Sequence, residues 1–179
     1  MKKIKLTVVA LLIQQATLMG DSIIDIEYLP SSGKYEGGIG IGGYQINSDV
    51  GLYGNFQGTI TTREPMYESL TVNSFNDPIV KRYNDISILN IGASKKFFDN
   101  LAGYIGIGYA QSDGITQKYD PSHILGSNGA YYVKEPSRDE KAVNINGGIL
   151  LFSNNGKLTL NIGRNSFTGG NYFGLGIRF

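Results

Sequence analysis

From Asn171 to Phe179 the chain alternates between two kinds of side chain. Phe173, Leu175, Ile177 and Phe179 fall on one side of an extended backbone, and Tyr172, Gly174, Gly176 and Arg178 fall on the other. A helix would scatter these residues around its axis, so the spacing predicts a strand. One row is bulky and oily; the other is built from glycine, arginine and tyrosine. That combination predicts a sheet whose apolar face has no protein partner.

The same alternation recurs upstream and divides the chain into eight strands. They are predicted over residues 22–29, 34–46, 50–61, 85–97, 101–116, 141–152 and 157–165, followed by the closing strand. In the fourth, Ile86 and Ile88 fall on the side otherwise occupied by Asn90 and Gly92, which predicts a bulge or a buried rim. Asn47-Ser48-Asp49 and Phe98-Asp99-Asn100 have the residues that tight turns favour, and Ser153 to Gly156 ends in the Asn-Gly pair of hairpins.

Connection length then separates the two ends of the sheet. Every second connection is short: Asn47 to Asp49, Phe98 to Asn100 and Ser153 to Gly156. Both long ones, Thr62 to Asn84 and Gln117 to Glu140, fall on the opposite end. Short periplasmic turns with longer extracellular loops describe outer-membrane barrels, whereas a Greek-key sandwich has no reason to keep an odd-even rule. The fold expected is therefore all-β: a closed, eight-stranded, antiparallel up-and-down transmembrane barrel.

Each predicted strand is about the 9 to 11 residues needed to cross the hydrocarbon layer at a tilt. Outward positions are mainly Ile, Leu, Val, Phe and Gly; inward ones are Gly, Asn, Ser, Thr and Tyr. Eight strands leave an interior that side chains can fill. Tyr44, Tyr53, Tyr104 and Tyr172 are expected to plug the lumen, in space left by Gly40, Gly106, Gly108 and Gly176. Phe97, Phe98, Phe152 and Phe179 at periplasmic strand ends, with Tyr83 and Tyr119 at outer ends, are expected to form aromatic girdles.

Composition fits this reading. Twenty-five glycines and 12 tyrosines with five prolines are β-rich, and Lys2, Lys3 and Lys5 before the apolar run Leu6–Ile13 predict a cleaved signal peptide over residues 1–20. That run is well short of the roughly 20 residues of a spanning helix. The barrel domain is then residues 21–179, and losing three lysines moves the formal charge from +1 to about −2, which argues against nucleic acid as a partner.

On these residues the chain resembles the small eight-stranded outer-membrane barrels of Gram-negative bacteria, the OmpA transmembrane-domain and OmpX type. The resemblance implies that Phe173, Leu175, Ile177 and Phe179 form the terminal signal read by the barrel-assembly machinery. It also implies an integral outer-membrane location, with membrane lipids and lipopolysaccharide as neighbours.

Chemistry is sparse. His123 is the sole histidine and there is no cysteine, so a zinc site of usual composition is excluded and no cofactor is expected. A hydrolase would need His123 to meet a hydroxyl and an acid, with Ser122, Ser127, Asp120 and Glu135 the candidates by sequence proximity. Asp77, Asp113, Asp120 and Asp139 match no calcium-loop spacing. The principal expectation is a noncatalytic barrel with an envelope-structural or surface-interaction role, its partner meeting segments 62–84 and 117–140. Transport of a small apolar molecule and a lipid-modifying hydrolase using His123 are the alternatives.

Overall fold

The computed structural model describes residues 21–46 and 49–179. The predicted leader and the first two residues of the Asn47-Ser48-Asp49 turn lie outside the described residues. Among the described residues there are ten strands: β1 (Ser22–Leu29), β2 (Gly38–Gln45), β3 (Gly51–Gly58), β4 (Met66–Tyr67), β5 (Ile79–Phe98), β6 (Leu101–Tyr119), β7 (Ala130–Lys134), β8 (Glu140–Phe152), β9 (Leu158–Asn165) and β10 (Asn171–Arg178). Among the described residues no helix is long and apolar enough to cross a membrane.

Eight of these strands close on themselves. The hydrogen-bonded order β6-β5-β3-β2-β1-β10-β9-β8 is completed by pairing of β6 with β8, and every neighbour in the ring is antiparallel. The seam between chain ends is formed by Ile24 opposite Ile177 and Ile26 opposite Leu175. Closure leaves no unpaired strand edge facing hydrocarbon, where an unsatisfied backbone group costs several kcal/mol or so.

Period-2 chemistry sets which way each residue points. Along β1, Ile23, Asp25, Glu27 and Leu29 are buried inside, while Ile26 is 66 % exposed on the outside. On β10, Tyr172 and Gly174 face in and Leu175 is 73 % exposed. The outward rows form an apolar belt around the wall: Leu52, Ile91, Ile105, Ile107, Val143, Ile145 and Leu160 are all exposed. In water such a belt would aggregate; against lipid tails it is solvated.

Several elements differ from the sequence-based expectation. The fourth barrel strand begins at Ile79 rather than Asp85, and the fifth runs to Tyr119, because the two continue as one ladder beyond the barrel rim. The 62–84 and 117–140 segments are thus partly strand, and β4 pairs in parallel with β7. Ile86 and Ile88 form a buried rim with regular pairing; the register shifts of β5 lie at Ile79/Lys81 and Lys96/Phe98. Phe152 points inward and is buried, with the Arg178 guanidinium 5.1 Å from its ring, so it is no part of a girdle; Phe97, Phe98 and Phe179 are exposed at the periplasmic end. Tyr83 and Tyr119 stand in the extracellular sheet, opposite Ile115 and Ala130, and the outward aromatics toward the outer half of the wall include Tyr28, Tyr109 and Phe173.

Candidate functional site

Two regions hold the polar chemistry: the lumen and the extracellular platform. In the lumen the tyrosine rings meet stacked or tilted. Tyr44 stacks on Tyr53 with centroids 5.3 Å apart, and Tyr104 tilts against both at 5.1 and 4.8 Å. Tyr104 Oη donates to Asn161 Oδ1 at 2.7 Å and lies 2.8 Å from Tyr172 Oη. Asn146 Nδ2 reaches Tyr172 Oη at 3.2 Å and also Tyr53 Oη. The four tyrosines are brought together as one buried layer.

The glycines that accommodate them are mostly other ones. Of the four expected, only Gly106 abuts a tyrosine, Tyr53. Gly42 faces Tyr44, Gly148 faces Tyr104, and Gly163 faces both Tyr104 and Tyr172. Gly40, Gly108 and Gly176 instead make space for Glu27 with Gln57, for Asn90 and for Asp25. A polar interior this full leaves each strand to decide separately where bulk is placed.

Sequence reasoning missed the two acids. Asp25 and Glu27 both face the lumen and are buried. Glu27 accepts from Tyr44 Oη at 2.9 Å, from Asn55 Nδ2 at 3.1 and 3.0 Å, and from Gln57 Nε2 at 2.5 Å. Behind these donors stands a circuit of amides. Asn144 Nδ2 donates to Asn90 Oδ1 at 2.8 Å and to Asn165 Oδ1 at 3.0 Å. Asn90 passes the bond to Asn55 at 2.8 Å, and Asn165 passes it to Gln57 at 2.7 Å. Both branches end with N–H groups aimed at Glu27. A buried carboxyl is tolerable only when its oxygens are met by donors, and here aligned amide dipoles supply them. The alternation of β1 was the available signal, since Asp25 and Glu27 oppose outward Ile24 and Ile26.

Apolar layers cap this polar middle. Ile23, Ile46, Ala102, Leu150 and Phe152 pack toward the periplasmic end, and Leu29, Ile86, Ile88 and Ala110 toward the outer end.

The extracellular platform is a four-stranded sheet made of the outer parts of β5 and β6 with β7 and β4. Its connections are fastened by specific bonds. The Lys118 ammonium, 1 % exposed, donates to the carbonyls of Val72 at 2.7 Å and Phe75 at 2.5 Å. Tyr131 Oη donates to Asp77 Oδ2 at 2.8 Å, and burial together with that carboxylate pushes the phenol above its ordinary range. Arg63 pairs with Asp85 at 2.5 Å and lies 4.3 Å from the Tyr83 ring centre. Tyr67 Oη donates to the Leu125 carbonyl at 2.8 Å. An open groove of about 1070 Å³ lies between residues 61–68 and 124–127.

His123 is exposed on this platform with a positive φ of 55°. Its Nε2 lies 3.2 Å from Tyr119 Oη. The Asp120 carboxylate is engaged by the backbone N–H groups of Leu125 at 2.9 Å, Ser122 at 2.7 Å and Ile124 at 2.7 Å. The Leu125 N–H, with those of Ser122 and Ile124, holds the Asp120 carboxyl below the usual aspartate range. Asp120 therefore shapes the loop and does not orient the imidazole. Ser127 and Glu135 are not brought to His123 either: Glu135 accepts from Thr116 Oγ1 at 2.5 Å and from Arg82 Nε at 3.3 Å. Among the described residues no cluster of acids and histidine has the makings of a metal site.

No family model matches the sequence, and no curated protein does. Solved structures do. The crystal structure of Ail, the attachment invasion locus protein of Yersinia pestis, in complex with the heparin analogue sucrose octasulfate, is 16 % identical, with a TM-score of 0.50 over 90 % of this chain and 100 % of that one. The backbone structure of Ail in a phospholipid bilayer nanodisc is 18 % identical, with a TM-score of 0.53 over 89 % of this chain and 99 % of that one. Likeness at this identity speaks to architecture, and it agrees with the ring of strands and the apolar belt. The chain has the fold of the small eight-stranded outer-membrane β-barrels.

Proposed function

We propose that this protein is a noncatalytic integral outer-membrane barrel that works by presenting its extracellular platform to a partner at the cell surface. The observation that carries the reading is the order of that platform. β5 and β6 are 20 and 19 residues long, against eight in β1, β2 and β3, and the extra length is built into a sheet rather than loose loops. Ile124 is 81 % exposed on it, and Val80, Phe75 and Ile79 are exposed as well. Ile79 and Val80 stand on β5 of that sheet, and Phe75 and Ile124 stand on connections fastened by the Lys118, Asp120 and Tyr67 bonds, so their ordering cost on binding is low.

Polyanion binding of the kind named for Ail is less favoured for this chain. Its outer cations are largely matched by acids: Lys34 with Glu140, Lys81 with Glu36, Arg82 with Glu135 and Lys134 with Glu68. A paired cation has less to gain from a sulfate. Contact through the apolar residues and the groove at 61–68 fits better.

The four-tyrosine layer, Tyr44, Tyr53, Tyr104 and Tyr172, acts in this reading as a plug that closes the lumen to solutes. Phe173, Leu175, Ile177 and Phe179 serve as the terminal signal for the assembly machinery, after export directed by residues 1–20. The deciding experiment compares cells displaying the wild type with cells displaying Ile124→Asp and Val80→Asp. Both variants should keep the heat-modifiable migration of a folded barrel and lose adhesion to epithelial or bacterial surfaces. Unchanged adhesion would end the reading. Measurable solute leakage from vesicles carrying the wild type would favour transport instead.

A further inference from the structure

The lipid-facing wall is not uniformly bulky. On β5 and β6 the outward positions Ala93 and Gly103 interrupt the belt, and a groove of about 350 Å³ opens there, walled by Val50, Phe97, Ile105 and Ile149. That volume lies in the range of ligand-sized pockets. The Phe97 ring folds over Gly103, so that a Cβ on Gly103 would come within 2.7 Å of it. Bare groove walls against lipid forfeit dispersion contacts that a fitted chain would restore.

Lys95 lines the same groove. It is an exposed outward residue between Ala93 and Phe97, and it stands opposite Gly103. Among the described residues no acid forms an ion pair with it, whereas its neighbour Lys96 is held by Asp99 at 2.9 Å. β5 ends three residues beyond it, at Phe98, which puts the ammonium close to the periplasmic headgroup level. A cation on a lipid-facing wall is tolerated when its stem lies along apolar surface and its head reaches a counter-charge at the interface. The counter-charge available at that level is a phosphate.

We infer that the groove formed by Ala93, Gly103, Phe97 and Ile149 holds one acyl chain of a glycerophospholipid from the periplasmic leaflet, with its phosphate on Lys95. The groove is a fixed lipid site, distinct from the exchanging annulus around the rest of the belt. Apolar walls select the chain, and a single lysine at the open end selects the phosphodiester. The site is independent of the extracellular platform and stands or falls separately from the surface-contact role.

Native mass spectrometry of barrel folded in phosphatidylethanolamine–phosphatidylglycerol vesicles and extracted into detergent tests this. The wild type should retain one phospholipid per barrel. Lys95→Ala should weaken retention about fivefold, the equivalent of about 1 kcal/mol for a lysine at an anionic surface, and Lys95→Arg should restore it. Ala93→Leu, which fills the groove from the lipid side, should abolish retention, while Val143→Leu elsewhere on the belt should not. Heat-modifiable migration establishes that each variant is folded. Absence of a retained lipid from the wild type, equal retention in Ala93→Leu, or a dimer that Ala93→Leu dissociates, would overturn the proposal.

Discussion

The amide nitrogen of Asn55 lies 3.1 and 3.0 Å from the two carboxylate oxygens of Glu27, so one side chain on β3 spans both lone-pair faces of an acid on β1. Asn55 is in turn fixed by Asn90, and Asn90 by Asn144, which extends the contact across the lumen to β8. Removing the acid strands donors rather than freeing them. Glu27→Ala should lower stability by about 3 kcal/mol or more, since several buried N–H and O–H groups lose their acceptor at once. Urea unfolding in lipid vesicles measures this, and Glu27→Gln should fall between the two.

Asn144 is the branch point of the circuit. Its Nδ2 serves Asn90 and Asn165, while its Oδ1 accepts from the Phe167 backbone N–H at 2.9 Å. Asn144→Ala should cost roughly 2 kcal/mol. A double-mutant cycle with Asn90→Ala should give a coupling above about 0.5 kcal/mol; strict additivity would show that the amides act as separate pairs.

Tyr104 and Tyr172 occupy the space a Cβ on Gly163 would take. Gly163→Val should overpack the lumen and destabilise by about 1 to 3 kcal/mol. The same change at Gly169, with open space around it but a φ of 64°, is strained by backbone alone. The two can be told apart because an Asn, tolerant of the left-handed region, should rescue position 169 and not position 163.

Lys118 holds the 72–75 segment through two carbonyl oxygens. Lys118→Met keeps the stem and deletes the ammonium. Hydrogen exchange over residues 69–78 should accelerate about tenfold or more, as two bonds to a charged donor are lost, while the barrel strands stay protected.

Asp120 gives the platform a defined acid limit. Its folded pKa lies below the ordinary 3.8, set chiefly by the Leu125 N–H with those of Ser122 and Ile124. A depressed carboxyl contributes its stabilisation above the unfolded value and loses it as pH falls through the folded value. Protease nicking between residues 121 and 129 should therefore be unchanged from pH 7 to about pH 4 and rise only below that. Asp120→Ala should nick readily at pH 7.

Alternation alone carried the architecture. In Phe173–Phe179, in Ile24 and Ile26 against Asp25 and Glu27, and in the odd-even lengths of the turns, local sequence fixes which face meets lipid, because a strand's period is two whatever surrounds it. Ring closure follows from chemistry with equal directness: an apolar belt and an unpaired edge cannot both face hydrocarbon. The interior is different. That Gly163 rather than Gly176 makes room for Tyr172, that Phe152 turns in while Phe97 turns out, and that five amides align on Glu27 depend on strand register around the whole ring. So does the sheet above the rim, where Met66–Tyr67 finds Tyr132–Val133 more than 60 residues away. Most of those contacts join strands far apart in the chain, and even Gly163 and Tyr172, partners within one hairpin, meet through a register that alternation alone does not state.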